Sequence, residues 1–328
     1  MTKKLAAVTS AVLLVAVAVV ARRSQVVCEG FLPENTMSIP ADGMHAFSGL
    51  DEAQFNRVLD RVEQVYTPIV AAKGGKLFVN RLWKDGKVNA YATQNFGTWS
   101  INMYGGLARH PAMNEEGMAL VACHELGHHI GGAPKLNGWM QWLGLGKWAT
   151  NEGGADYFAT LKCMRLVAPA PTGEVEAAAA ASCDASFRDP EGRAHCRSGA
   201  LAGQAVAKVF QTLMGTAVPQ FNTPDKSVVS KMYDGHPQPQ CRLDTYYEGA
   251  LCAKPVGESV ADKDPNAGAC TRRNGDLVGL RPLCWYKAPK DEPVGPKVAM
   301  APSASPALDA SRVSARLASL QASFQDLR

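Results

Sequence analysis

The chain has 328 residues, of which 46% are hydrophobic and 20% charged, so it can bury a substantial core and is not a disordered protein. Its formal charge of +4 is small and its Lys and Arg are scattered, which excludes a nucleic-acid partner. Nine cysteines without a CxxC pair exclude a zinc-finger framework and point instead to disulfides formed outside the cytosol.

Lys3 and Lys4 precede the apolar run Leu5 to Val20, within and after which Ala16-Val17-Ala18 and Val19-Val20-Ala21 are small-residue cleavage candidates. Residues 1–21 therefore read as a secretory signal peptide, with an uncleaved N-terminal anchor as the alternative. Gln25-Val26-Val27 before Cys28 lacks the small residue of a lipidation signal. The expected location is periplasmic or secreted, and any membrane association is expected through the N-terminus only. Residues 22–47 show no periodicity and read as an extended lead-in.

Ser48 is the expected cap of a helix from Leu50 to Ala72, where Phe55, Val58, Leu59, Val62, Val65 and Tyr66 recur at helical spacing. Gly74-Gly75 ends it. Lys76 to Trp83 and Lys87 to Thr93, joined by Asp85-Gly86, are expected to form a β-hairpin, and Thr98 to Tyr104 a third strand.

Asn114, Glu115 and Glu116 then open a helix with acidic residues at its positive end. This helix carries HExxH as His124, Glu125 and His128. Histidines four apart lie on one helical face, so both imidazoles can hold one metal ion, and Glu125 beside it can take a proton from a water molecule. HExxH alone arises by chance in on the order of one percent of such chains, so a third ligand has to follow. Asn151-Glu152-Gly153-Gly154-Ala155-Asp156 supplies it beyond a connector with Trp139, Trp142 and Trp148. Glu152 can ligate the metal, while Asp156, four residues on, can accept the N–H of a ligand imidazole. Cys123, just before His124, is expected to be a buried free thiol.

In the second half, Ala168 to Ala181 reads as a surface insertion ending in an Ala-rich helix, and Cys183 and Cys196 bracket a polar loop. Gly199 to Met214 is an expected helix, and Ser227 to Met232 a short one. His236-Pro237 leads into a helix holding Arg242 and the cysteines Cys241 and Cys252. Those two are about 16 Å apart by helical rise and cannot bond each other, which leaves Cys270 and Cys284 as nearby partners. Residues 22–290 are thus one metallopeptidase domain with a disulfide-rich C-terminal half, and 291–328 an Ala/Pro-rich tail.

The residues after His128 separate the zinc-peptidase classes. Gly131 stands where a metzincin has its glycine, but Pro134 occupies the ligand position, whereas Glu152 gives the third ligand of a gluzincin. Within that class, VNAYATQ, YGGL, CHELGHH and EGGAD, between Val88 and Phe158, resemble peptidase family forty-eight of the metallopeptidases, the group of HtpX, Oma-type and CAAX prenyl proteases. His236-Pro237 and Arg242 extend the likeness. The Trp-rich connector and the cysteine-dense second half depart from the membrane-embedded members.

The resemblance implies an edge strand at Asn89 to Thr93 and one Zn2+ on His124, His128 and Glu152. It also implies Glu125 as base and His236 near the transition state; His236 or Arg242 is then expected to stabilise the oxyanion. The expected fold is α+β, mainly helical and zincin-type, with a small sheet beside the HExxH helix. The expected function is a zinc metalloendopeptidase acting on exported or envelope proteins. An exported zinc-binding, chaperone-like protein with little turnover is the alternative.

Overall fold

The computed structural model describes residues 28, 30–42, 49–136, 148–290 and 292. The expected signal segment, Ser48, Trp139, Trp142 and the tail apart from Glu292 lie outside the described residues.

Helix α1 (Glu52–Ala72) is capped by Asp51: its carboxylate accepts from the Gln54 amide at 2.7 Å, and the Gln54 side chain accepts from the Asp51 amide at 2.9 Å. This reciprocal capping box replaces the expected Ser48 cap, because Asp51 has Gln54 three residues on to return the bond. Phe55, Val58, Leu59, Val62, Tyr66 and Val70 form the buried face. Each such large apolar side chain contributes about 1.5–3 kcal/mol when fully buried.

The sheet has three strands, β1 (Lys76–Leu82), β2 (Ala90–Asn95) and β3 (Thr98–Tyr104), in the order β1-β3-β2. β1 runs parallel to β3, and β2 pairs antiparallel with β3, Ala92 opposite Ile101. The expected hairpin between the first two strands is therefore corrected. Asp85-Gly86 is engaged elsewhere: the Gly86 carbonyl accepts from the Ile39 amide and the Asp85 carbonyl from the Gly106 amide. The actual two-residue turn is Phe96-Gly97, with φ of 45° and 79°, the pair of positive values that a tight hairpin requires. β2 thus lies at one edge of the sheet.

Beyond the one-turn helix α2 (Gly105–Ala108) comes α3 (Glu115–Ile130), capped by Asn114 on the Gly117 amide at 2.8 Å. It is buried on every side from Glu116 to Ile130, as a central helix must be. The helix α4 (Glu152–Phe158) passes through a π-turn (Ala159–Cys163) into α5 (Met164–Val167). Next come α6 (Ala177–Ser186), α7 (Pro190–Met214) and α8 (Pro239–Leu251). α7 starts earlier than expected because Asp189 caps it and Pro190 takes the first helical position. Ser227 to Met232 is not helical: the Val229 and Tyr233 amides bond the carbonyls of Leu283 and Trp285 instead.

Four disulfides join Cys123 to Cys163, Cys183 to Cys196, Cys241 to Cys284 and Cys252 to Cys270. Cys123 is thus no free thiol. It faces Cys163 on the π-turn, and the cysteine outside these four bonds is the buried Cys28. Such cross-links suggest an oxidising, exported environment. Among the described residues, no helix is long and apolar enough to cross a membrane.

The main core gathers α1, the sheet, α3 and α7. A second cluster surrounds Trp285 and the Cys241 and Cys252 disulfides, under α4 and α8. The result is a mixed α and β architecture with its small sheet against α3.

Candidate metal centre

α3 and α4 meet at Gly127, where a Cβ would lie 3.0 Å from the Cα and carbonyl oxygen of Ala155. Any larger residue there would push the two backbones apart by a few tenths of an ångström, and their close approach aligns the histidines of α3 with the carboxylates of α4. Ligand-type atoms of His124, His128 and Glu152 all lie within 4.8 Å of one another, with all three residues buried. His124 Nε2 is 3.1 Å from His128 Nε2 and 3.2 Å from Glu152 Oε2, and His128 Nε2 is 3.6 Å from Glu152 Oε1.

The far side of each ring fixes its proton. His128 Nδ1 lies 2.8 Å from the Thr150 carbonyl oxygen, which can only accept, so Nδ1 carries the hydrogen and Nε2 presents a lone pair. His124 Nδ1 is 2.6 Å from Asp156 Oδ1 and is oriented in the same way. Two nitrogen lone pairs and a carboxylate therefore converge on one point. A proton between the two Nε2 atoms, 3.1 Å apart, or a metal cation in its place, offsets their repulsion.

Glu125, Glu152 and Asp156 are all buried here, and Arg242 is the buried guanidinium among them. Burial pushes the Glu125 carboxyl up to about 8, the neighbouring His124 opposing and Glu152 reinforcing the shift. Both Glu125 oxygens are buried without a hydrogen-bond partner. Burial would lower His124, but Asp156 and Glu152 outweigh it and raise it to about 9; burial drops His128 to about 4. These residues fit a metal ion.

Asp156 is held by Arg242 through two parallel bonds, Nε to Oδ2 at 2.8 Å and the second guanidinium nitrogen to Oδ1 at 2.7 Å. Burial opposes its ionisation, yet Arg242 and His124 keep it well below the usual carboxylate range. The third Arg242 nitrogen donates to the Phe31 carbonyl at 2.5 Å. Each of its nitrogens thus has a partner, and Arg242 holds Asp156 and the lead-in in place. His236 does reach the cluster: its Nε2 lies 3.6 Å from Glu152 Oε2 and 2.5 Å from the Gly30 carbonyl oxygen.

Sequence reasoning missed three participants. Thr150 orients His128, and only its backbone acts, so no side-chain signal exists. Asn89 uses its side chain to bond both the amide and the carbonyl of Leu32, at 2.9 and 3.0 Å. Gly30 comes from the lead-in, where nothing periodic marks it. The neighbouring His129 is no ligand: it is stacked between Trp99 and Trp148, at centroid distances of 5.5 and 4.7 Å. Burial pushes it down to about 3.

No family model matches the chain, and no curated protein or solved structure matches it.

Proposed function

We propose that the chain is a zinc-dependent endopeptidase of exported or envelope proteins. The observation that carries it is the convergence of two imidazole lone pairs and the Glu152 carboxylate beside a second, unpartnered buried carboxylate, Glu125. Two nitrogens and one oxygen are the donor set of catalytic zinc, which leaves one position open. Zinc held there would polarise the scissile carbonyl and acidify a water molecule. Glu125 takes the proton of that water and returns it to the leaving amine. His236 Nε2 donates to the oxygen on which charge develops, and Asp156, fixed by Arg242, keeps His124 turned to the centre. The Ala90 carbonyl at the start of β2, which here accepts from the Phe31 amide, is the kind of acceptor that an extended peptide backbone would use.

Metal analysis of the purified chain, paired with casein digestion with and without chelator, tests this reading. About one zinc per chain and chelator-sensitive digestion are expected; a chain that holds no metal would sink it. The contact of Gly30 with His236 favours a second reading, an exported zinc-binding protein with little turnover. A Glu125→Gln variant whose protection of unfolded clients against aggregation equals that of the unaltered chain, neither digesting casein, would select it.

A further inference from the structure

The lead-in crosses the centre in a specific way. Residues 30–39 run antiparallel to the start of β2, closing with a bridge between Ser38 and Lys87. Over the stretch Gly30 to Leu32 five backbone polar groups have partners there. The Gly30 carbonyl accepts from His236 Nε2 at 2.5 Å, and the Phe31 amide donates to the Ala90 carbonyl of the edge strand at 2.9 Å. The Phe31 carbonyl accepts from Arg242, and Asn89 takes both the amide and the carbonyl of Leu32. That is how a groove holds an extended peptide by its main chain.

The side chains fit as well. The Phe31 ring is fully buried, edge-on to the His124 ring at 5.0 Å, beside Phe210 at 5.9 Å and under the Arg242 guanidinium at 4.5 Å. Leu32 is fully buried too. A Cβ at Gly30 would come within 2.6 Å of the Tyr91 ring and 2.7 Å of the Asn89 side chain, so the residue before Phe31 has to be glycine. The carbonyl that meets His236 belongs to the Gly30–Phe31 peptide bond, and His236 Nε2 is 3.6 Å from Glu152 Oε2.

We propose that the Gly30–Phe31 bond is a self-processing site, the chain's own segment serving as the first substrate of its centre. This rests on the endopeptidase reading above. A water oxygen adds to the Gly30 carbonyl carbon while Glu125 takes its proton, and the carbon–nitrogen bond breaks. The Phe31 nitrogen leaves as an amine with the proton returned from Glu125, and Gly30 becomes a carboxylate. The cut removes what precedes Phe31, Cys28 included, the cysteine outside the four disulfides. It also predicts the preference of the groove for added substrates: glycine before the bond, then an aromatic and an aliphatic residue.

The experiment follows the intact mass and N-terminal sequence of the zinc-loaded full chain over time, with casein digestion measured in parallel. A species beginning at Phe31 is expected, formed at a rate independent of protein concentration, and absent from the chelated chain and from Glu125→Gln. A second readout needs no turnover. In metal-free Glu125→Gln the Phe31 and Leu32 amides should exchange hydrogen on the order of a hundredfold more slowly than in a free peptide, since both are bonded in the groove. Asn89→Ala should release the Leu32 amide. Casein digestion with the Gly30–Phe31 bond left whole would overturn the self-processing site and spare the endopeptidase reading. Equal cutting at Phe31 in Glu125→Gln, or free-peptide exchange at both amides, would overturn it as well. Loss of both activities in metal-loaded chain would remove the two proposals together.

Discussion

The centre between α3 and α4, into which Arg242 reaches from α8, and the region from Cys252 to Tyr286 are held together largely by different means, although the Cys123–Cys163 bond also staples α3 to the π-turn. In the first, ionisable groups are buried in a connected set: Arg242 on Asp156, Asp156 on His124, and Glu152 against both histidines. In the second, two disulfides and an apolar cluster around Trp285 hold a chain that is irregular between Cys252 and Cys284. Buried charges give little net stability because desolvation offsets their attraction, yet they fix direction. Cross-links restrict the unfolded chain and say little about direction. The molecule thus places its chemistry where geometry is costly and surrounds it with staples that offset the cost.

Substitutions can break or sharpen that division. The largest effect belongs to the ligands: His124→Ala, His128→Ala or Glu152→Ala should lose the metal and all turnover, read by metal analysis. Full zinc and activity in Glu152→Ala would refute its place as third ligand. Glu125→Gln comes next, with metal retained and turnover reduced about 10²- to 10⁴-fold, the usual worth of a general base.

His236→Phe should lower kcat about 10²- to 10³-fold with bound metal and Tm nearly unchanged, because its hydrogen bond matters once charge has formed. A lower Tm with normal kcat would instead make it a packing residue. Asp156→Asn should weaken metal affinity or activity roughly ten- to a hundredfold. It should also destabilise the fold, since Arg242 is then buried without its counter-charge. The smallest effect on the centre is expected for Cys252→Ser with Cys270→Ser: a loss of about 2–4 kcal/mol in denaturant unfolding, with metal content intact.

The same division explains what the sequence discloses. His124, His128, Glu152 and Asp156 follow from spacings of four on helices, a signal carried within one turn. The helices α1, α3 and α8 are equally legible from periodicity and end signals. Strand order is not: β1 and β3 pair across the intervening β2, and Asp85-Gly86, the commoner turn dipeptide, outranks Phe96-Gly97 as a hairpin signal. Cys123 reads as a buried thiol because burial is all a single position reveals, while its partner Cys163 lies 40 residues on. The sequence places Arg242 near the centre, but its role as a brace for Asp156 depends on which way its guanidinium turns. The part played by Gly30 is invisible in sequence because main-chain bonds leave no residue pattern.

Trp285 adds a matter of timing. Its ring lies against Gly153, where a Cβ would come within 2.1 Å of it, and its indole nitrogen donates to Thr245 at 2.9 Å. It is anchored by the adjacent Cys284, bonded to Cys241. The turn carrying Glu152 is therefore braced by a residue that is synthesised long after the histidines. A chain made from its N-terminus holds both imidazoles early and receives the buttress for the Glu152 turn late, once oxidation has closed the Cys241–Cys284 loop. The candidate centre is in this way completed late in assembly, and a chain shortened before Trp285 should take up zinc more weakly than the whole one.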